Sequence, residues 1–160
     1  MEFTNTAHEL TYERVQDYLS NSPFKQTVRT SVERPSFDLL YQDTTLIELC
    51  VLPWETHPYP DMDLAIVRAS SCVAIGCGPE LELLRFLLDE NRKMRFGSFQ
   101  TNQAGAVFFA NRILGGKHMD PMELEVCLLS VGAISTRYSD IIIEKFDGQC
   151  ALNSSLTSKL

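Results

Sequence analysis

The stretch LLRFLLDENRKMRFGSFQTNQAGAVFFANRI, Leu83 to Ile113, decides the fold. Its first part reads as a leucine-rich helix. Leu81, Leu84 and Leu88 form one face at helical spacing, widened by Leu83, Phe86 and Leu87, and so wide an apolar face predicts deep burial. Pro79 suits the first helical position, where its missing N–H costs nothing. Glu80 and Glu82 bring negative charge to the positive end of the helix dipole, and Arg92, Lys93 and Arg95 close the last turn at its negative end. Gly97 then suits the break into a strand, because glycine adopts backbone angles that other residues avoid. "SFQT" pairs with "GAVFFANRI" across "NQAG", a turn containing Asn and Gly.

Working outward, the preceding chain reads as strands. "KQTVRTSV" (25–32), "FDLLYQ" (37–42) and "TTLIELCVLP" (44–53) are rich in β-formers, with Asp43-Thr44 as the turn between the last two. "DLAIVRASSCVAI" (63–75) is a longer strand by its β-branched content, with a helix as the alternative for its Ala-rich part. Ahead of them, "TYERVQDYLSN" is a helix with Thr11 as its N-cap and Tyr12, Val15, Tyr18 and Leu19 as its apolar stripe. A start at Thr6, with Glu9 three residues on, is the alternative. Ser22-Pro23 ends that helix. The last element carries a full start signature: Asp120 as cap, Pro121 first and Glu123 third. Leu124, Cys127, Leu128, Val131, Ile134 and Tyr138 form its stripe, and it continues through "DIIIEKF" toward Gly148. This divides the chain into an N-terminal segment (1–10), a single α+β domain (11–148) and a tail (149–160).

A length of 160 residues suits one core. Hydrophobic content of 44% and charged content of 22% are those of a soluble globular protein. No apolar run approaches the ~20 residues of a membrane span, and "MEFTNTAHEL" lacks the basic start and apolar stretch of a secretory signal. The 5 cysteines are odd in number and lack CxxC spacing, so a reduced, cytoplasmic setting is expected, with most thiols acting as small core residues. A net charge of −7 argues against nucleic acid as a partner. Between Arg68 and Lys117, however, seven basic side chains oppose four acidic ones, a local balance of +3 that leaves −10 for the rest. That asymmetry reads either as a solvated face or as a basic surface for an acidic partner.

The chemistry-bearing residue types are scattered. The loop "PWETHPYPDMD" (53–63) holds three prolines, the only tryptophan and His57. Trp54 and Tyr59 there are candidate contacts, since rigid aromatics lose little entropy on binding; the competing reading folds Trp54 back on the sheet. Arg92 and Arg95 are the other two candidate contacts. Glu55, His57, Asp61 and Asp63 miss the spacing of a calcium loop, and no metal is expected. His8, His57 and His118 fall among predicted loops and termini. No HExxH, GxSxG, GxGxxG or GxxxxGK[ST] is present. In "IGCGPE" a plain strand-to-helix turn outweighs an anion site at Gly78. Cys72 and Cys77 fit no common zinc spacing. Asn91, Arg95 and Asn111, near the hairpin, read as groups that satisfy backbone and helix ends.

"ELLRFLLDENRKMRFGSF", "AGAVFFANRILGG", the capped "MDPMELEVCLLSVGAISTRYSDIII" and "EKFDG" together resemble the YbjN-like family, which belongs with the type III secretion chaperone-like fold. The resemblance rests on Asn91 at a helix end, Phe96, Gly97 and Phe99 opening the hairpin, the Tyr138-Ser139-Asp140 step, and "VQDYL" (15–19). It covers roughly Thr11 to Gly148 and is nearest to cyanobacterial and plastid members. The resemblance implies an α+β fold: a curved antiparallel sheet packed by about three helices. It further implies a non-enzymatic protein-binding module without cofactor, chaperone-like or a regulatory adaptor, acting as a homodimer on a protein partner. A small-ligand binder with a pocket between sheet and helices, or a structural subunit of a larger complex, are the alternatives.

Overall fold

Asn5, rather than Thr11, starts the first helix. In the computed structural model, which describes residues 2–59, 62–77 and 80–150, helix α1 spans Thr6–Asn21. The Asn5 side chain accepts a hydrogen bond from His8 N at 2.8 Å. Thr11 sits inside the helix, and its hydroxyl has other uses. It donates to Ala7 O at 2.5 Å and accepts from Gly116 N at 2.7 Å, across 105 residues of chain. His8 is buried in α1 rather than in a loop. Its Nδ1 accepts from Thr4 N at 3.3 Å, which leaves Nε2 to donate to Val51 O at 3.0 Å. The stripe of Tyr12, Val15 and Leu19 is buried, with Tyr12 stacked on Phe37 at 4.9 Å.

Six antiparallel strands follow in the order β1-β2-β3-β4-β6-β5: β1 (Arg29–Thr30), β2 (Ser36–Tyr41), β3 (Thr45–Pro53), β4 (Ala65–Ala74), β5 (Ser98–Thr101) and β6 (Val107–Leu114). Of the segment 25–32 only two residues are strand. Lys25 N and Thr27 N instead donate to Ser22 O and Phe24 O, so turn geometry claims that backbone. Gln42 and Asp43, at φ 50° and 57°, make the turn between β2 and β3. On one face of the sheet Phe37, Leu39, Ile47, Leu49, Val51, Val67, Ala69 and Phe109 are buried, and α1 and the last helix cover them. The opposite face carries Asp38, Glu48, Arg68, Ser70 and Arg112, by strand alternation.

Helix α2 (Leu81–Asn91) corrects the reading of its leucines. Leu83 and Leu87 are buried, whereas Leu81 and Leu88 are 61% and 64% exposed and Leu84 is also exposed. Two overlapping stripes run along this helix, and the sheet takes the narrower one. Phe86 packs on Phe146, with Lys145 Nζ 4.6 Å above its ring. The helix starts at Leu81 with Glu80 as its cap; Pro79 and Gly78 lie outside the described residues. It also ends earlier than expected: Arg92 is the cap residue, and Lys93 and Arg95 follow the helix.

The hairpin forms as its sequence predicts. Asn91 Oδ1 accepts from Phe99 N at 2.6 Å and Asn91 Nδ2 donates to Phe99 O at 3.1 Å, so one amide does the work of a strand neighbour. Gly97 has φ 71°, and a Cβ there would lie 2.6 Å from Ala110 O. Asn102 holds the turn, its Oδ1 accepting from Ala104 N and Ala106 N. Helix α3 (Pro121–Phe146) is capped by Asp120, which accepts from Met122 N at 2.7 Å, and ends on Asp147 in the left-handed conformation. The fold is α+β, an antiparallel sheet packed by three helices.

Candidate functional site

Trp54, Tyr59, Arg92 and Arg95 do not form one site. Trp54 is half-buried at the end of β3: its N–H donates to Leu64 O at 2.9 Å and its ring meets His57 edge-on at 5.8 Å. Tyr59 is exposed, and its N–H donates to His57 Nδ1 at 3.2 Å. Arg92 and Arg95 are exposed in the connection between α2 and β5. Strand β6 stands between β5 and the β3–β4 pair, so the aromatic loop and the basic loop belong to different parts of the rim. Of the acidic and histidine cluster in that loop, Asp61 lies outside the described residues. Among the described residues no group of three or more His, Cys, Asp or Glu is placed to hold a metal ion.

The structure brings forward a different surface, the outer face of α3. Leu124, Cys127, Leu128 and Val131 point inward and are buried. Met122, Val126, Leu129 and Ala133 lie on the opposite side and are exposed, Met122 by 71%. Their spacing of four, three and four residues is the seam of a coiled coil. The first half of α3 therefore carries two apolar faces on opposite sides, with Glu123, Glu125 and Ser130 between them, and the outer one is left without a cover among the described residues. Charge takes over the same outer face beyond Ala133, at Arg137, Asp140 and Glu144. The seam was readable as letters, but not separable from the core stripe without knowing which side meets the sheet. By length and composition α3 is also apolar enough to cross a membrane, a test that the core helix of a soluble protein passes equally; 33% of its most apolar window is buried.

A second feature lies on the uncovered sheet face. Arg68 stands directly across from Arg112 in the β4–β6 register. Like charges opposed in this way repel. Glu48 compensates in part, 3.8 Å from both Arg68 and Arg34, while Arg68 Nε is buried without a hydrogen-bond partner. All five cysteines are free thiols. Burial pushes Cys127 up to about 11, and burial together with Cys77 and Cys150 pushes Cys72 up to about 11, so both stay protonated at neutral pH.

The fold defines an α+β protein with an open antiparallel sheet, helices on one face and, among the described residues, no helix on the other. No protein-family model matches the chain, and no curated protein matches it either.

Proposed function

We propose that this protein is a non-enzymatic protein-binding module, chaperone-like or adaptor-like, that works as a homodimer. The observation that carries the reading is the uncovered seam Met122, Val126, Leu129 and Ala133 on α3. A second copy fits it. Two α3 helices running antiparallel about the midpoint between Val126 and Leu129 set Met122 against Ala133 and Val126 against Leu129, as a two-fold interface requires. Arg137, one turn beyond the seam, then falls at the start of the other copy's helix, whose first turn carries Glu123, and the two helix dipoles oppose. The dimer leaves the second sheet face free. There the opposed Arg68 and Arg112 suit an acidic segment of a partner protein, the reading that the local positive balance first suggested. The resemblance to the YbjN-like family and its chaperone-like fold agrees with this arrangement, as does a cytoplasmic setting of free thiols.

Sedimentation equilibrium across micromolar concentrations tests the reading. The wild type should sediment as a dimer, and Leu129→Glu as a monomer with unchanged far-ultraviolet circular dichroism. A monomeric wild type that instead floats with lipid vesicles would assign the seam to a membrane and overturn the proposal.

A further inference from the structure

The β3–β4 ladder stops at Glu48 opposite Ser70. Beyond it β3 stays with β2 as far as Thr45, and β4 stays with β6 as far as Ala74, through an irregularity between Cys72 and Ala74. The sheet therefore parts between Thr45–Ile47 and Ser71–Val73. A cavity of about 360 Å³ occupies the gap. Leu46, Val73, Ile75 and Phe108 give it apolar walls, and α3 contributes Ser135 and Ser139.

The hydroxyls are not equivalent. Ser139 donates to Val73 O at 3.0 Å. Ser135 is 2% exposed, and its hydroxyl has no partner among the described residues; the same holds for Ser71, the first β4 residue past the split, which lies outside the cavity wall. A buried hydroxyl left without a hydrogen bond costs roughly 1–3 kcal/mol, and native cores hold few such groups. An apolar cavity wall did not need Ser135.

We propose that this cavity binds a small neutral molecule with an apolar body and one hydrogen-bonding group that reaches Ser135. The charge of the lining sets the class. Asp38 and Glu48 belong to the wall, and among the described residues no Lys, Arg or His does. An anion would meet carboxylates with no cationic side chain in the described wall, while Glu48 is already engaged by Arg34 and Arg68 at 3.8 Å and does not call for a cationic ligand, so a neutral amphiphile fits best. The volume is at the small end of ligand cavities. The wall at Cys72 is a neutral, protonated thiol, consistent with binding rather than covalent chemistry. This site is separate from the dimer seam, because Ser135 and the seam lie on opposite sides of α3.

The probe is N-phenyl-1-naphthylamine, a neutral dye that brightens on leaving water. The wild type should bind it saturably. Leu46→Trp, at the exposed rim, should weaken binding tenfold or more, and Ser135→Ala several-fold while unfolding at the same or a higher temperature. Leu129→Glu should leave dye affinity unchanged, which separates this site from the seam. Absence of saturable binding, or a folded Ser135→Ala and Leu46→Trp that both bind as tightly as wild type, would overturn the assignment.

Discussion

Gly132→Ala sets two well-known effects against each other at one atom. Gly132 lies buried within α3, against the ring of Tyr41. A Cβ there would stand 2.4, 2.6 and 2.8 Å from three ring carbons, closer than real Cβ atoms approach anything. In a helix interior alanine is better than glycine by about 1 kcal/mol. Forcing a methyl into a packed ring costs about 1–3 kcal/mol, more if the ring cannot recede. Here it recedes poorly. Tyr41 pairs with Thr45 at the end of β2, and the Thr45 hydroxyl is tied to that of Thr136 on α3 at 2.7 Å. The substitution should therefore destabilise by about 1–2 kcal/mol net. With the ring gone, in Tyr41→Ala, the same substitution should change sign and stabilise by about 0.5–1 kcal/mol. Urea unfolding of the four proteins in the cycle measures this directly. If Gly132→Ala stabilises the wild type, or destabilises both backgrounds equally, the ring is not what holds glycine at that position.

Tyr138 donates to Glu90 Oε2 at 2.7 Å, and the bonds from Lys93 and then Tyr138 hold the Glu90 carboxyl below its usual 4.5. Tyr138→Phe should cost about 1 kcal/mol at pH 7. Because the folded carboxyl titrates below the unfolded one, that difference is complete above pH 4.5 and shrinks as pH falls through the lowered value; a difference that grew in acid would contradict it. Asn91→Ala leaves the Phe99 N–H and C=O without their partner and should cost about 2 kcal/mol in thermal or urea unfolding, with an Asn91→Asp variant recovering only the bond to the N–H. Thiol titration of the native protein with an aromatic disulfide should leave Cys127 unmodified at pH 8 on the timescale that denatured protein reacts fully, since its buried thiol titrates near 11.

What the sequence disclosed was whatever depends on neighbours along the chain. The Asp120-Pro121 start of α3, the glycine break at Gly97 and the Asn102 turn are settled by backbone chemistry within a few residues, and the structure has each where the letters put it. Errors arose where a side chain serves a distant partner. Thr11 has the chemistry of a cap, but its hydroxyl is engaged by Gly116, and Asn5 caps instead. His8 sits in the helix to bond a carbonyl of β3. The five leucines and one phenylalanine of α2 fit two faces equally, and only the position of the sheet selects Leu83 and Leu87. The cavity left no trace in the sequence, because it exists only where two strands diverge toward different neighbours.

The lengths of the outer strands bear on solution behaviour. A sheet grows by offering a long unpaired edge, and fibrils recruit chains in that way. Here the inner strands β3, β4 and β6 have 9, 10 and 8 residues, but the two margins, β1 and β5, have 2 and 4. Neither margin offers enough ladder to template another chain. Aggregation through edge-to-edge pairing would first require the loss of a margin, so resistance to fibre formation should follow how firmly Phe99 is anchored to Asn91 rather than overall hydrophobicity.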